Sequence, residues 1–444
     1  MKNSLTSGSV FGNIIRFSLP YLLSYFLQTL YGMADLYIVG QFAGVDQITA
    51  VSVGSQVMHM ITVMIVGLAM GATVTIGQAI GADHKEDAAH LTGNTVTMFM
   101  TGSLVLAGVL VLGVHQIVAA MATPTEAVRG TELYLTICFV GVPFITAYNV
   151  LSSIFRGLGD SKSPMYFIGI ACVSNILLDY FFIGIMGLGS VGAALGTTIS
   201  QTISVLVALA AIRKHKTKLP LHLTHFYLCR PTAGRILRIG IPVALQDGFV
   251  QIAFLVVTII ANTRGLNEAA AVGIVEKAIG MFFLVPSSML SSVSALAAQN
   301  IGAGKDDRAG KTLWYAVGIC VGFGVIVSVA VQFVAEPLIG LFSENARVIC
   351  LGGQYIRGYI FDCIFAGIHF CYSGYFCAYG RSELSFIHNA ISIVLVRLPG
   401  AYLASQWFPK TLFPMGLASV FGSVLSVTIC VIFYAKMQKK KQIV

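Results

Sequence analysis

The sequence predicts an all-α polytopic membrane protein, with twelve transmembrane helices in two six-helix bundles related by pseudo-twofold symmetry along the membrane normal. Three observations predict it. First, the 444 residues are 56% hydrophobic and only 10% charged, with a mean hydropathy of +0.84, whereas a soluble domain is about 25% charged. Second, apolar runs of bilayer-crossing length, about 20 residues, recur from end to end. Third, the halves repeat: 78-QAIGADHKEDA-88 pairs with 299-QNIGAGKDDRA-309, 155-FRGLGDS-161 with 376-FCAYGRS-382, and 16-RFSLP-20 with 238-RIGIP-242. An even number of spans per half makes the copies enter the membrane from the same side, the parallel-repeat plan of many transporters.

The apolar runs place spans near 13–40, 48–78, 93–118, 128–154, 164–184, 190–212, 236–262, 268–298, 312–335, 346–378, 385–406 and 412–435. The N-terminus has no cleavable-signal pattern, so the first run is read as a retained span. Most of the 27 Lys and Arg residues, Lys85, Arg213, Lys214, Lys305, Arg308, Lys439 and Lys440 among them, fall in alternate loops and in the C-terminal tail. This bias puts both termini in the cytoplasm. The expected division is an N-terminal lobe at 1–212, a basic connector at 213–235 and a C-terminal lobe with its tail at 236–444. The connector's charge is explained by positive-inside topology, and no ligand is assigned to it. Pro143 and Pro286 lie within spans 4 and 8 and predict kinks there. The frequent glycines, as in 184-GIMGLGSVGAALG-196, allow close helix approach. The nine cysteines form no metal-ligand spacing and read as packing residues, and His59, His369 and His388, separated in the spans, read as satisfied core groups. Basic residues are not gathered on one face, which speaks against nucleic acid as a partner. No nucleotide-binding loop or hydrolytic His/Asp set occurs, so the chain reads as a non-enzyme without cofactor.

Chemistry is carried by acids inside the spans. A carboxylate facing lipid costs roughly 3 kcal/mol on insertion scales, so an intramembrane acid is a functional-site hypothesis. Asp179 lies in 164-PMYFIGIACVSNILLDYFFIG-184, one helical turn after Asn175, and Asp35 lies in 28-QTLYGMADLYIVGQ-41. Their repeat counterparts are Gly400 and Val257, so the pair belongs to one half only. Both acids sit toward the outer ends of their spans, with Asn175 and Thr197 at similar depth and Asn149 nearer the inner end of span 4. Carboxylate, amide and hydroxyl oxygens suit a hard cation. Two neighbouring carboxylates also repel, so one of them readily takes up a proton. The same group therefore suits H⁺ or Na⁺, with no other metal implied. Asp362, Asp247 and Glu276 form a second candidate cation site in the C-terminal half. Gln28, Tyr31, Tyr148, Phe282 and Tyr355 are candidates for lining a substrate cavity.

These residues resemble the multidrug and toxic compound extrusion family. The resemblance rests on the two six-span halves, on the spacing from Pro20 through Asp35 to Gly40, on the twin Q-x-I-G-A loops, and on R-G-L-G-D-S-K-S-P at Arg156–Pro164. Its most specific part is the N-x-x-x-D ending at Asp179 with the glycine-rich stretch to Ala194. It implies a drug/cation antiporter of a prokaryotic inner membrane that exports bulky, often cationic amphiphiles by alternating access. It also implies that Asp35, Asn149, Asn175, Asp179 and Thr197 bind the coupling H⁺ or Na⁺. Asp362 resembles the span-10 aspartate of a branch that uses C-terminal acids. The expected partners are the small-molecule substrate and membrane lipids, with the chain a monomer. A flippase of lipid-linked sugars shares the wider plan, but the acidic N-terminal site argues against a pyrophosphate cargo.

Overall fold

The computed structural model describes residues 5–121, 123–215 and 220–442. Residues 216–219 of the basic connector lie outside the described residues, as do Lys2 and the last two residues of the tail. The described elements are all helical. The first half runs α1 (Val10–Phe42), α2 (Val45–Gly81), α3 (Lys85–Leu112), α4 (Val114–Ala120), α5 (Thr125–Val140), α6 (Val142–Gly157), α7 (Lys162–Asp179), a π-helical turn (Tyr180–Ile185) and α8 (Gly189–His215). After a short 3₁₀ turn (Leu223–His225), the second half runs α9 (Arg230–Asn262), α10 (Leu266–Phe282), α11 (Leu284–Gly302), α12 (Asp306–Gly340), α13 (Ala346–Tyr359) and α14 (Asp362–Ala378). It ends with α15 (Ser382–Ser392), a second π turn (Ile393–Arg397), α16 (Leu398–Trp407) and α17 (Phe413–Gln442).

Among the described residues, nine helical segments are individually long and apolar enough to cross a bilayer. Three bent pairs complete the twelve crossings: α5 with α6 (49°), α10 with α11 (41°) and α13 with α14 (42°). The first two bends fall at or beside Pro143 and Pro286, which lack the amide that would continue the ladder. The third has no proline. There the ladder tightens as Cys363 N–H donates to the Ile360 carbonyl, which also accepts from Ser328 Oγ at 3.2 Å. That hydroxyl helps satisfy a carbonyl at the break, which a sequence pattern does not reveal. Span 3 is likewise interrupted at Gly113, between α3 and α4.

The chain divides into two compact units, one of Arg16–Gly240 and the other of Ile241–Val444 with the described part of Met1–Ile15. The boundary falls inside α1 and α9 rather than in the connector. The reason is local hydrogen bonding. Leu5, Thr6, Ser7 and Gly8 offer carbonyls that accept from Asn300, Lys305 and Arg308, at 2.9–3.4 Å. In the other unit, Asn94 Nδ2 donates to the carbonyls of Tyr227 (3.0 Å) and Cys229 (3.3 Å).

Each unit packs through small residues. A Cβ on Gly71 would stand 2.1 Å from the Ile236 carbonyl oxygen, and one on Gly240 2.3 Å from that of Leu68, so α2 and the start of α9 touch backbone to backbone. In the other unit Gly358 and Gly416 do the same for α13 and α17, each with 2.5 Å to a facing carbonyl oxygen. Such close crossings are how helices associate where lipid removes the hydrophobic drive. Large apolar side chains remain exposed, among them Leu104, Leu177, Ile326 and Phe333. A soluble protein would bury a surface this rich in them, whereas lipid solvates it.

Candidate functional site

In the first unit, three helices place the expected oxygens together. Asp35 on α1 and Asn175 and Asp179 on the last turn of α7 are buried, with Asp35 5% and Asp179 0% exposed, and Thr197 on α8 is half-buried beside them. Thr197 Oγ1 donates to Asp35 Oδ2 at 3.2 Å. Asp35 also lies within interaction range of Asp179 and Asn175. Asp35 Oδ1, both oxygens of Asp179 and both amide atoms of Asn175 have no protein hydrogen-bond partner. Buried polar atoms are almost always paired, so four oxygens and one amide nitrogen without partners in one cluster make it the leading candidate site of this unit. The donor set, carboxylate and amide oxygens with one hydroxyl, fits a proton or a hard monovalent cation and lacks the soft ligands of a transition metal.

The backbone explains the packing of this cluster. Gly196 of α8 passes so close to α7 that a Cβ there would stand 2.1 Å from Asp179 Oδ1 and 3.6 Å from Asn175 Nδ2. Immediately beyond Asp179, α7 widens into the π turn Tyr180–Ile185, closed by Met186 N–H donating to Phe181 O and Leu188 N–H to Phe182 O. π turns are rare and gather at functional sites.

Of the five residues expected at this site, Asn149 stands apart in its bonding. It is buried on α6, and its Nδ2 donates to the Ile145 carbonyl of its own helix at 2.9 Å. Tyr31 is one turn before Asp35 on α1, within electrostatic range of Asp35 and Tyr148. Tyr31 packs against a cluster that contains buried Tyr148, and Gln28 is half-buried one turn earlier. In the other unit Tyr355 is fully buried in the core, with Phe282 packed against the same cluster. Tyr148 and Tyr355 therefore do a packing job in this structure.

The second candidate site comes together in part. Glu276 on α10 accepts from Thr258 Oγ1 at 3.1 Å, and Asp362 is 1% exposed at the start of α14. Both acids interact with Arg397, at the end of the second π turn. Its guanidinium donates to Tyr359 Oη at 2.6 Å and lies over the Phe254 ring at 4.9 Å. Asp247 is elsewhere. It neighbours Cys377, at the far end of α14 from Asp362, which a 1.5 Å rise per residue puts roughly 20 Å away. The buried histidine His388 is satisfied by Ser373 and Ser426, each at 2.9 Å, while His369 keeps only a 3.4 Å contact to Ser423.

Two residues escaped the sequence reading. Arg397 carried a signal, since an arginine in 394-VLVRLPG-400 is an intramembrane charge that must find a partner. Gly196 carried none beyond its place in a glycine-rich run.

The family model for MatE matches residues 20–181 and 242–403, one match in each half. The probable multidrug resistance protein YpnP of Bacillus subtilis is 28% identical over 94% of this chain and 93% of its own length. The multidrug export protein MepA of Staphylococcus haemolyticus is 25% identical over 95% of this chain and 92% of its own. A solved outward-facing multidrug resistance MATE family transporter of the MOP superfamily superposes with a TM-score of 0.93 at 22% identity, covering 99% of this chain and 98% of that one. With a match in both halves and the same twelve-crossing fold, this chain belongs to the MatE family of multidrug and toxic compound extrusion transporters.

Proposed function

We propose that this protein is a secondary antiporter that exports bulky, often cationic amphiphiles from the cell against inward movement of H⁺ or Na⁺. The observation that carries the reading is the buried pair Asp35 and Asp179, with Thr197 bonded to Asp35, Asn175 beside them, and five atoms of the group left without a protein partner. Relatives named for multidrug resistance and multidrug export support the cargo class. The chain acts as a transporter without chemical change of its cargo and needs no cofactor. It sits as a monomer in a prokaryotic plasma membrane with both termini in the cytoplasm.

The residues give the coupling its physical basis. With both carboxylates charged and unneutralised, α1 and α7 repel each other in a low-dielectric setting. A bound cation or proton neutralises that repulsion and draws Asp35, Asp179 and the Thr197 hydroxyl together. The ion drives alternating access only to the extent that it binds one arrangement of these helices better than the other. The π turn after Asp179 is a joint at which such a rearrangement costs little regular helix. Arg397 interacts with both Glu276 and Asp362, which supports a structural role for that group and favours the first unit for the coupling.

The test is dye efflux from vesicles with ΔpH and ΔNa⁺ imposed separately, on the wild type and on Asp362→Asn. Efflux driven by one of the two gradients, and kept in the variant, is the expected result. Efflux that follows neither gradient, or that loses its ion dependence in Asp362→Asn, overturns the reading.

A further inference from the structure

Where the connector meets α3, three side chains gather that the proposed transport site does not use. Glu86 and His90 lie one turn apart on the first turns of α3, so they share a face. The 3₁₀ turn Leu223–His225 brings His225 onto that face from far along the chain. One ligand atom from each of Glu86, His90 and His225 falls within 4.8 Å of the others. His225 is 3% exposed and its Nε2 is 2.9 Å from Glu86 Oε1. The His90 and His225 rings stand 4.4 Å apart between centroids.

Several contacts hold His225 in this position. A Cβ on Gly93 would stand 2.3 Å from the His225 carbonyl oxygen, so only glycine lets the turn sit this close to α3. Asn94 holds the carbonyls of Tyr227 and Cys229, and Arg235 Nη1 approaches Asp87 Oδ1 at 3.5 Å. The backbone therefore presents the His225 ring from a fixed base. Glu86 is exposed and His90 half-buried, which leaves an entry route for an ion.

We propose that Glu86, His90 and His225 form a binding site for a transition-metal dication of the Zn²⁺ type, which ties the connector to the start of α3. Two imidazoles and a carboxylate are the donors such ions prefer, and they exclude Mg²⁺ as the favoured ion. Ligand bonds of about 2.0–2.2 Å around a tetrahedral ion put donor atoms about 3.4 Å apart, so the 2.9 Å contact between His225 Nε2 and Glu86 Oε1 opens slightly, within a group whose ligand atoms already lie within 4.8 Å of one another. Water completes the coordination on the exposed side.

The protons balance. His222 N–H donates to His225 Nδ1 at 3.2 Å, so the ring proton is on Nε2 and is donated to Glu86. The ion takes the Nε2 lone pair, the ring proton moves to Nδ1, and the His222 hydrogen bond is given up. Because the imidazoles must be neutral, acid weakens binding.

Calorimetric titration of the purified full-length chain, in detergent, without a polyhistidine tag and with Mg²⁺ present, tests this with Zn²⁺ as the probe. Saturable binding of one equivalent is expected, at least about tenfold weaker in His90→Asn and in His225→Asn. Electron paramagnetic resonance with Cu²⁺ as probe reads two imidazole nitrogens in the wild type and one in either variant. His90 is half-buried and holds no connector backbone, so its variant decides the outcome even where His225→Asn fails to fold. No saturable Zn²⁺ binding by the wild type, or an unchanged affinity and nitrogen count in His90→Asn, overturns the proposal.

Discussion

Gly196 shows how a single residue sets the geometry of the acidic cluster. Its missing side chain is what lets Asp179 Oδ1 lie against the α8 backbone. Gly196→Ala forces α7 and α8 apart or turns the Asp179 carboxylate, and a displacement of the order of 1 Å can cost about 100-fold in a positioned site. Gradient-driven efflux is expected to fall at least tenfold while the protein stays expressed and folded. Gly280→Ala serves as the comparison, because a Cβ there meets nothing within 4 Å. Its efflux and thermal stability are expected to stay at or slightly above those of the wild type, since alanine is the better helix former. Equal behaviour of the two variants would contradict the packing account. The acids were legible in the sequence for a physical reason: a carboxylate in an apolar run is too costly to be there by accident. Arg397 was legible by the same argument. The Glu86–His90–His225 group was not, because one of its three residues arrives through a tertiary contact that no local spacing encodes.

At the scale of elements, apolar runs and two prolines foretold the crossings and two of the three bent pairs. The third bend, between α13 and α14, depends on Ser328 reaching the Ile360 carbonyl from α12, a contact invisible to local pattern. Ser328→Ala is expected to cost about 1 kcal/mol, read as a lower unfolding temperature in detergent. The π turns were also beyond sequence reading, because a widened turn keeps the composition of the helix it interrupts. The second one ends in Arg397, facing Glu276 and Asp362. Arg397→Leu leaves buried Asp362 and half-buried Glu276 without the nearby cation, and a loss of stability, read as a lower unfolding temperature, is expected. Adding Glu276→Gln should return part of it, which thermal unfolding of the single and double variants checks. Additive losses would show that Arg397 serves something other than these acids.

For the molecule as a whole, the duplication was readable from the paired loops, and the family match divides at the same place in the chain. What the repeat did not foretell is where the units divide. The entry segment before α1 and the connector before α9 are each held by side chains far away in sequence, Asn300, Lys305 and Arg308 for one and Asn94 for the other. The functional asymmetry is deeper. Both halves keep acids with unpartnered oxygens, but the second also carries an arginine beside them. A duplicated scaffold with one charged half unbalanced is what an ion-driven transporter needs, because an ion must find affinity that changes with conformation. The most direct measurement is drug efflux by Asp35→Asn and Asp179→Asn in vesicles, under whichever ion gradient drives the wild type, at matched protein levels. The account predicts no gradient-driven efflux in either variant, and unimpaired efflux in both would contradict it.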